Sequence, residues 1–271
     1  NKKHVVTANK ALVAKYGDQL AKIAEENNVN LEFEAAVCGG VPIIRSLKEG
    51  LIANKIERIY GIFNGTSNYI LSTMDKQNKN FKDVLSNSKK LGYAETNPSS
   101  DLNGDDVAAK LKILSSLCFN SFINDKIHVE GIKNIEKLDI DNANTLGYKI
   151  KLLGFSEILD NKVYQRVHPT MIKKSSYIAS IDGVLNAVII DGKPVGKSVI
   201  QGEGAGAEAT TSALVSDISS ILRGNIKFPF SISNKERKIL NFKNIDDRFF
   251  SAYLRFEVID KPGVLSNITN I

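Results

Sequence analysis

A helix that carries a carboxylate and an amine on its apolar side restricts what the rest of this chain can fold into. The stretch 91–110, LGYAETNPSSDLNGDDVAAK, gathers Glu95, Asp101, Asp105, Asp106 and Lys110 around two turn signals, Asn97-Pro98 and Asn103-Gly104. A helix is expected beyond Asn103, with Asn103 as its N-cap, acids in its first turn and an apolar run after them. At about 100° per residue, Val107, Leu111, Leu114 and Cys118 share one stripe, with Ile113 and Leu117 beside it. Asp106 and Lys110 fall on the line of Ile113 and Leu117, while Ala109, Lys112, Ser115 and Ser116 lie opposite. Inward charges are costly unless each has a partner. A closed salt bridge satisfies that demand, and so does a site built to receive a charged ligand.

The sequence opens on NKKHVVTANK and closes on LSNITNI, so both ends read as cuts through elements, and an internal piece of a longer polypeptide is expected. No apolar run approaches the length of a membrane span. The two cysteines, Cys38 and Cys118, match no metal or redox spacing and sit in apolar context. Reduced core thiols and a cytoplasmic setting follow. The net charge of +6 is spread over scattered lysines without an arginine cluster or basic–aromatic interleaving. That argues against a nucleic-acid face.

In chain order, 4–7 reads as a short buried strand and 11–27 as a helix with Leu12, Val13, Tyr16, Leu20, Ile23 and Ala24 at helical spacing. A second strand over 31–37 makes this a parallel crossover. Lys10 stands just past the first strand's C-terminal end, the edge where ligands of parallel sheets gather, although an ordinary surface lysine fits there too. Glu34 lies within EFEAAV, and CGGVP follows. A carboxylate beside free carbonyls suits a hard cation, and an edge-exposed turn is the alternative. The strand 56–63 runs into Asn64-Gly65-Thr66-Ser67-Asn68 ahead of a helix from Tyr69. That loop can present N–H groups to an anion or simply cap the helix. A short helix over 81–91 leads into the opening stretch.

Residues 135–155 read as helix, with Leu146, Ile150 and Leu153 inward and Lys149 and Lys151 at the surface. His168, in a strand over 163–171, reads as structural. Strands 183–190 and 193–201 are joined at the hairpin signal Asp191-Gly192. The loop Gly202-Glu203-Gly204-Ala205-Gly206 then precedes a helix over 208–222, an arrangement that admits either a ligand or close helix–sheet packing. Residues 229–247 read as a polar linker, and 249–258 as an alternating strand opening a new unit.

Five ordered motifs carry a family resemblance: VTANKALVA (6–14), EAAVCGGVPII (34–44), GIFNGTSNYIL (61–71), LGYAETNPSSDLNGDDVAAKL (91–111) and QGEGAGAEATTSALVSD (201–217). The chain resembles homoserine dehydrogenase, and LRFEVIDKPGVLSNI (254–268) resembles the start of an ACT domain. The resemblance implies NAD(P)-dependent interconversion of L-homoserine and L-aspartate 4-semialdehyde, on the route from aspartate to threonine, methionine and isoleucine. It implies that Lys110 is the proton donor and acceptor, and that Glu95 and Asp106 hold the substrate's amino group, with Asp101 in the same site. Lys10 would lie between substrate and cofactor, Thr66 and Tyr93 would line the substrate pocket, and Gly206 would face the cofactor. Glu34 with the carbonyls of Val37, Gly39 and Val41 would hold a sodium ion. Asn97 stands where many relatives have an acid.

The expected fold is α/β followed by α+β. Residues 1–37 form the C-terminal part of a Rossmann-like dinucleotide domain, and 38–224 a mixed-sheet substrate and dimerisation domain. Residues 225–248 are the linker and 249–271 the start of the ACT domain. The resemblance implies a homodimer or homotetramer and a threonine effector at the ACT domain, with no nucleic acid and no membrane as partner. Two rival readings stand beside it. One is an amino-acid-sensing module on an inactive scaffold, and the other is a piece with no useful cofactor affinity, because the glycine-rich dinucleotide fingerprint is absent from these residues.

Overall fold

The computed structural model describes residues 2–123, 127–225, 227–243, 249–259 and 261–270. Strand β1 (Val5–Val6), helix α1 (Lys10–Glu26) and strand β2 (Leu31–Glu32) form the expected crossover, with β1 and β2 parallel. The first strand is not buried: Val5 is 48% exposed. Helix α1 turns Val13, Gly17, Ala21 and Ala24 inward. Its small side is the packed one because a Cβ on Gly17 would already press on Phe230 at 2.8 Å. Leu12, Tyr16 and Ile23 are therefore left outside.

The second strand stops at Glu32 rather than running to Val37, and Glu34–Ala36 form a 3₁₀ turn. The ladder ends because both ends of Glu34 are committed elsewhere. Its backbone N–H donates to Asp217 Oδ2, and its carboxylate takes the N–H groups of Ile44 (2.9 Å) and Arg45 (2.8 Å). Helix α2 (Ile43–Arg45) continues as a π turn, Ser46–Gly50.

Strand β3 (Lys55–Ile62) feeds helix α3 (Gly65–Gln77), which starts earlier than periodicity indicates because Asn64 caps it through Ser67 N. Helix α4 (Phe81–Lys90) and the short α5 (Ser99–Asn103) precede α6 (Asp105–Cys118). Asn103 is thus the last residue of α5 and not an N-cap; Gly104, at φ +89°, joins the two helices with no side-chain cap. Helix α6 is buried almost all round, with Ser115 and Ser116 included.

Short strands β4 (Ser121–Phe122) and β5 (His128–Val129) lead to α7 (Lys137–Thr145), which ends far short of Phe155. Gly147, at φ +82°, stops it, and 148–159 becomes strand β6 (Tyr148–Leu159). Leu146 is consequently exposed, while Lys151 is 1% exposed and Lys149 is paired with Asp75. Strands β7 (Lys162–Lys173), β8 (Leu185–Lys193) and β9 (Gly196–Glu203) complete an antiparallel sheet in the order β7-β6-β3-β8-β9. The β8–β9 turn lies at Pro194-Val195 and not at Asp191-Gly192, whose residues are still paired with Lys197 and Gly196. Gly61 lets β3 approach β8 closely: a Cβ there would stand 2.1 Å from the Ala187 carbonyl oxygen.

Helices α3 and α6 pack on the sheet, and the main core runs from Val13 through Phe63 and Leu111 to Ile190. A smaller cluster with Ile62, Leu153, Ala187 and Ile189 lies apart from it. Helix α8 (Ala207–Leu222) returns against the Glu34–Ala36 turn and β1.

The expected linker is not a free tether. Phe230 is buried on Phe33, with ring centroids 5.3 Å apart. The Arg237 guanidinium sits between the rings of Phe122 (4.4 Å) and Phe230 (4.3 Å) and donates to the Ser121 carbonyl. Strand β10 (Lys238–Ile239) pairs with β4, and β11 (Asn241–Phe242) with β7. The last part of the linker reading, 244–248, lies outside the described residues. The alternating stretch from Phe249 forms no strand among the described residues; Tyr253 and Arg255 instead fasten it to Asp139 of α7. Helix α9 (Val264–Thr269) follows. Among the described residues no helix is long and apolar enough to cross a membrane, and both cysteines are free and buried.

Candidate active site

The inward charges of α6 meet three other elements. Lys110, 8% exposed, holds its Nζ 2.8 Å from Asp106 Oδ2 and donates to the Phe63 carbonyl at the end of β3 (2.7 Å). Asp106, 5% exposed, also accepts from Lys10 Nζ at 3.1 Å, so the first residue of α1 reaches across to α6. The Asn64 amide donates to Asp106 Oδ2 (2.9 Å) and to Asp101 Oδ1 (2.7 Å). Its own oxygen is occupied by the cap on α3. One asparagine therefore locks a helix start, two carboxylates and the end of a strand in one arrangement.

The electrostatics follow from that arrangement. Burial lifts the Asp106 carboxyl, but Lys110, Asn64 and Lys10 together bring it below the usual carboxylate range. Burial depresses the Lys110 amine, yet the Asp106 charge outweighs it and the ammonium is held more firmly than a free lysine. Asp101 is raised, chiefly by burial. The site thus presents two ammonium groups on one firmly ionised carboxylate, with a softer carboxyl beside it.

Thr66 Oγ1 donates to the Tyr93 carbonyl (2.7 Å), and the Tyr93 ring packs on Tyr69 at 4.9 Å. These contacts tie the loop that carries Glu95 to the start of α3. Glu95 itself is exposed and has no hydrogen bond or ion pair among the described residues, so it does not join Lys10, Asp106 and Lys110 directly. On the other side, Cys38, at φ +51°, brings its thiol to 4.0 Å from the Phe63 carbonyl. Gly39 N–H donates to the Gly204 carbonyl (3.1 Å), and Gly40 N–H to that of Glu203 (2.8 Å). The loop after Glu34 and the glycine loop before α8 are therefore stitched together beside Lys110.

Gly206 has φ +113° and open space where a Cβ would stand, and α8 begins beyond it without a side-chain cap. Uncapped first-turn N–H groups behind a glycine fit an anionic cofactor group. At Glu34 the carbonyls of Val37 and Gly39 accept no hydrogen bond among the described residues, while that of Val41 takes Ile43 N–H. The donor chemistry, oxygen only, is the type a hard cation takes, with both Glu34 carboxylate oxygens already accepting the N–H groups of Ile44 and Arg45. No cluster of three or more His, Cys, Asp or Glu side chains placed to hold a metal occurs among the described residues. Asn64 and the Phe63 carbonyl are the members that sequence reasoning passed over. The first read only as loop or cap, and the second has no side-chain signature.

The homoserine dehydrogenase family model matches residues 42–219. The chain belongs to the homoserine dehydrogenase family. It is 43% identical to the homoserine dehydrogenase of Neisseria gonorrhoeae and 43% identical to that of Helicobacter pylori, in each case over 99% of this chain and 63% of the relative. A solved homoserine dehydrogenase from Thiobacillus denitrificans superposes with a TM-score of 0.89 at 40% identity, covering 98% of this chain and 63% of that one. A hyperthermophilic archaeal homoserine dehydrogenase in complex with NADPH superposes with a TM-score of 0.72 at 28% identity, over 83% of this chain and 66% of that one. The chain thus spans about 63% of the length of these two curated relatives.

Proposed function

We propose that this chain is the catalytic portion of an NAD(P)-dependent homoserine dehydrogenase interconverting L-homoserine and L-aspartate 4-semialdehyde. The observation that carries this reading is the buried Lys110 ammonium, held between Asp106 and the Phe63 carbonyl with Lys10 on the far oxygen of the same carboxylate. The nicotinamide cofactor, at Lys10 and the Gly206 loop, supplies or accepts hydride when bound. Lys110 exchanges the proton at the substrate's reacting oxygen. Asp106 and Glu95 receive the substrate ammonium. Glu95 is exposed and without a hydrogen bond or ion pair among the described residues, hence available, and Asp106 trades part of its hold on the two lysines for the incoming cation. Thr66 and Tyr93 border the substrate, and Asp101 is kept in register with Asp106 by Asn64.

Glu95→Gln in the full-length protein is expected to raise KM for homoserine about tenfold with a smaller change in kcat, because it removes a charge-assisted contact formed on binding. Steady-state kinetics check this, and an unchanged KM removes Glu95 from the site.

The same reading includes a sodium ion at Glu34, Val37, Gly39 and Val41. Burial, against the backbone N–H groups of Arg45 and Ile44, lifts the Glu34 carboxyl from 4.5 to about 7. The folded state then binds that proton more tightly than the unfolded chain. Its stabilising effect is complete below pH 4.5, is lost as pH rises to about 7, and stays lost above. The loss expected from this group is up to about 3 kcal/mol. A bound cation favours the ionised form and flattens the decline. Urea unfolding at pH 5 and pH 8 in sodium chloride and in tetramethylammonium chloride tests both parts; identical pH dependence in the two salts removes the cation.

A homodimer through the exposed side of the sheet is part of the reading, supported by the half-buried Tyr60 and Phe155 paired there at 6.0 Å. So are a cytoplasmic location, a place in threonine, methionine and isoleucine synthesis, and a threonine effector at an ACT domain beginning near Phe249.

A further inference from the structure

Two glycines stand directly opposite each other inside the sheet, Gly61 of β3 and Gly154 of β6. Glycine within a strand weakens it, so an opposed pair marks a place where something comes close to the backbone. Here it is the buried ring of Phe63. A Cβ on Gly61 would stand 2.8 Å from Phe63 Cε1, and one on Gly154 would stand 2.7 Å from Cε2 and 2.8 Å from Cδ2. The ring therefore rests in the hollow that the two glycines leave. Gly154 has a second neighbour on the same side: Val107 Cγ1 would lie 3.0 Å from its Cβ. Val107 belongs to α6, next to Asp106 and one turn before Lys110. At Gly61 a Cβ would also strike the Ala187 backbone, whereas the nearest atoms at Gly154 are all in side chains, those of Phe63 and Val107.

One hollow thus sets both ends of a hydrogen bond. It seats the ring of the residue whose carbonyl accepts from Lys110 at 2.7 Å, and it lets the helix that carries Lys110 lie close on β6. We propose that Gly154 is a positioning residue for the proton transfer: its missing side chain sets the separation of the Phe63 carbonyl and α6 that keeps Lys110 between that carbonyl and Asp106. The assignment rests on the proposed dehydrogenase activity. A methyl group at 154 must push the ring and Val107 away by about an ångström to reach ordinary carbon–carbon contact. A shift of that size takes the Lys110–Phe63 pair out of hydrogen-bond range. Lys110 then keeps Asp106 but loses an acceptor of its charged form, so its proton leaves at lower pH. The titratable groups facing Lys110 are Asp106 on its own helix, Asp101 on α5 and the Cys38 thiol, with Lys10 of α1 on the same Asp106 carboxylate. None of them is among the nearest neighbours of a Cβ at 154.

The test is steady-state homoserine oxidation by the full-length protein across pH, with NADP or NAD as oxidant and circular dichroism as the check on folding. Gly154→Ala is expected to lower the oxidative kcat about 10–100-fold, the effect of misplacing a reacting group by about an ångström. The rising alkaline arm of its kcat is expected to move down by about one pH unit, as when one hydrogen bond to a charged group is lost. KM for homoserine is expected to stay within about threefold, because the contacts to the substrate's ammonium are left in place. Phe63→Leu loosens the same seat from the other side and is expected to move the arm in the same sense by about half a unit. The double variant is expected to match Phe63→Leu, since leucine leaves room for the added methyl. Gly154→Ala with a wild-type kcat and pH profile overturns the assignment. So does a loss of activity and stability together with an unmoved arm, since that pattern belongs to packing alone, and so does a double variant no better than Gly154→Ala. If Gly154→Ala fails to fold, Phe63→Leu carries the test, and an unmoved arm there overturns the assignment. A wild type that oxidises homoserine leaves the dehydrogenase reading standing in each of these cases, whereas one that does not removes both.

Discussion

Lys110→Ala in the full-length protein is expected to lower kcat by about 10²–10⁴-fold, the range a positioned general acid–base contributes. On the proposed mechanism, Lys110 in its ammonium form would give its proton to the substrate's reacting oxygen in the reductive direction. The geometry favours that direction, because Asp106 holds the proton on Lys110 in spite of burial. Oxidation needs the neutral amine, so it is favoured once the substrate's own ammonium draws on Asp106 and loosens the grip on Lys110. The sign of the pH dependence follows: as pH rises, the oxidative kcat climbs and the reductive kcat falls. Both arms should be lost in the alanine variant, leaving a low and nearly flat profile. Steady-state kinetics in both directions across the alkaline range check this, and activity within a few-fold of wild type excludes Lys110 from proton transfer. Because Asp106 would lose its closest partner, circular dichroism of the variant is needed alongside, to separate a lost proton donor from a disturbed fold.

Lys151→Met lowers the stability of the folded state by about 3–5 kcal/mol, as expected when one member of a buried ion pair is removed. Lys151 Nζ meets Asp182 Oδ1 (2.7 Å), the Ile181 carbonyl (2.6 Å) and Asn68 Oδ1 (3.0 Å), and so joins β6 to α3 and to the turn before β8. Methionine keeps most of the volume but abandons those three acceptors. Asp182 retains Lys76 at 2.9 Å, which places the loss nearer the lower end of the range. Urea denaturation reads it, and a loss under 1 kcal/mol would mean that the remaining lysines replace Lys151 in full.

The two lysines show how far the residues alone could be read. On α6 the helical period is long and clear, so the inward position of Asp106 and Lys110 was legible, and Lys10 at a strand end pointed to the same place. What stayed hidden was the partner set. A backbone carbonyl such as that of Phe63 leaves no trace in residue type, and Asn64 looks the same whether it caps a helix, ties two carboxylates or does both. Lys151 was misread because 148–159, with its β-branched and aromatic residues interrupted by lysines, satisfies a helical period and an alternating one at once. The stop at Gly147 settles the matter only once the chain is seen to take a positive φ there. Glu34 shows the same limit. Its flanking alanines and valine read as a strand, but the strand is broken by a carboxylate that caps a helix ten residues on. The glycine loop at 202–206 was placed correctly between strand and helix, yet its stitching to Gly39 and Gly40 depends on a contact between distant parts of the chain.

The placement of Arg237 between Phe122 and Phe230 has a practical side for anyone dissecting this polypeptide. A cut just after α8 would look natural on a domain diagram, yet it would remove Phe230 and Arg237 together, strip Phe122 of its guanidinium cover, uncover Phe33 and leave β4 and β7 without their edge partners. Expression designs for the catalytic unit should therefore retain everything through Phe242.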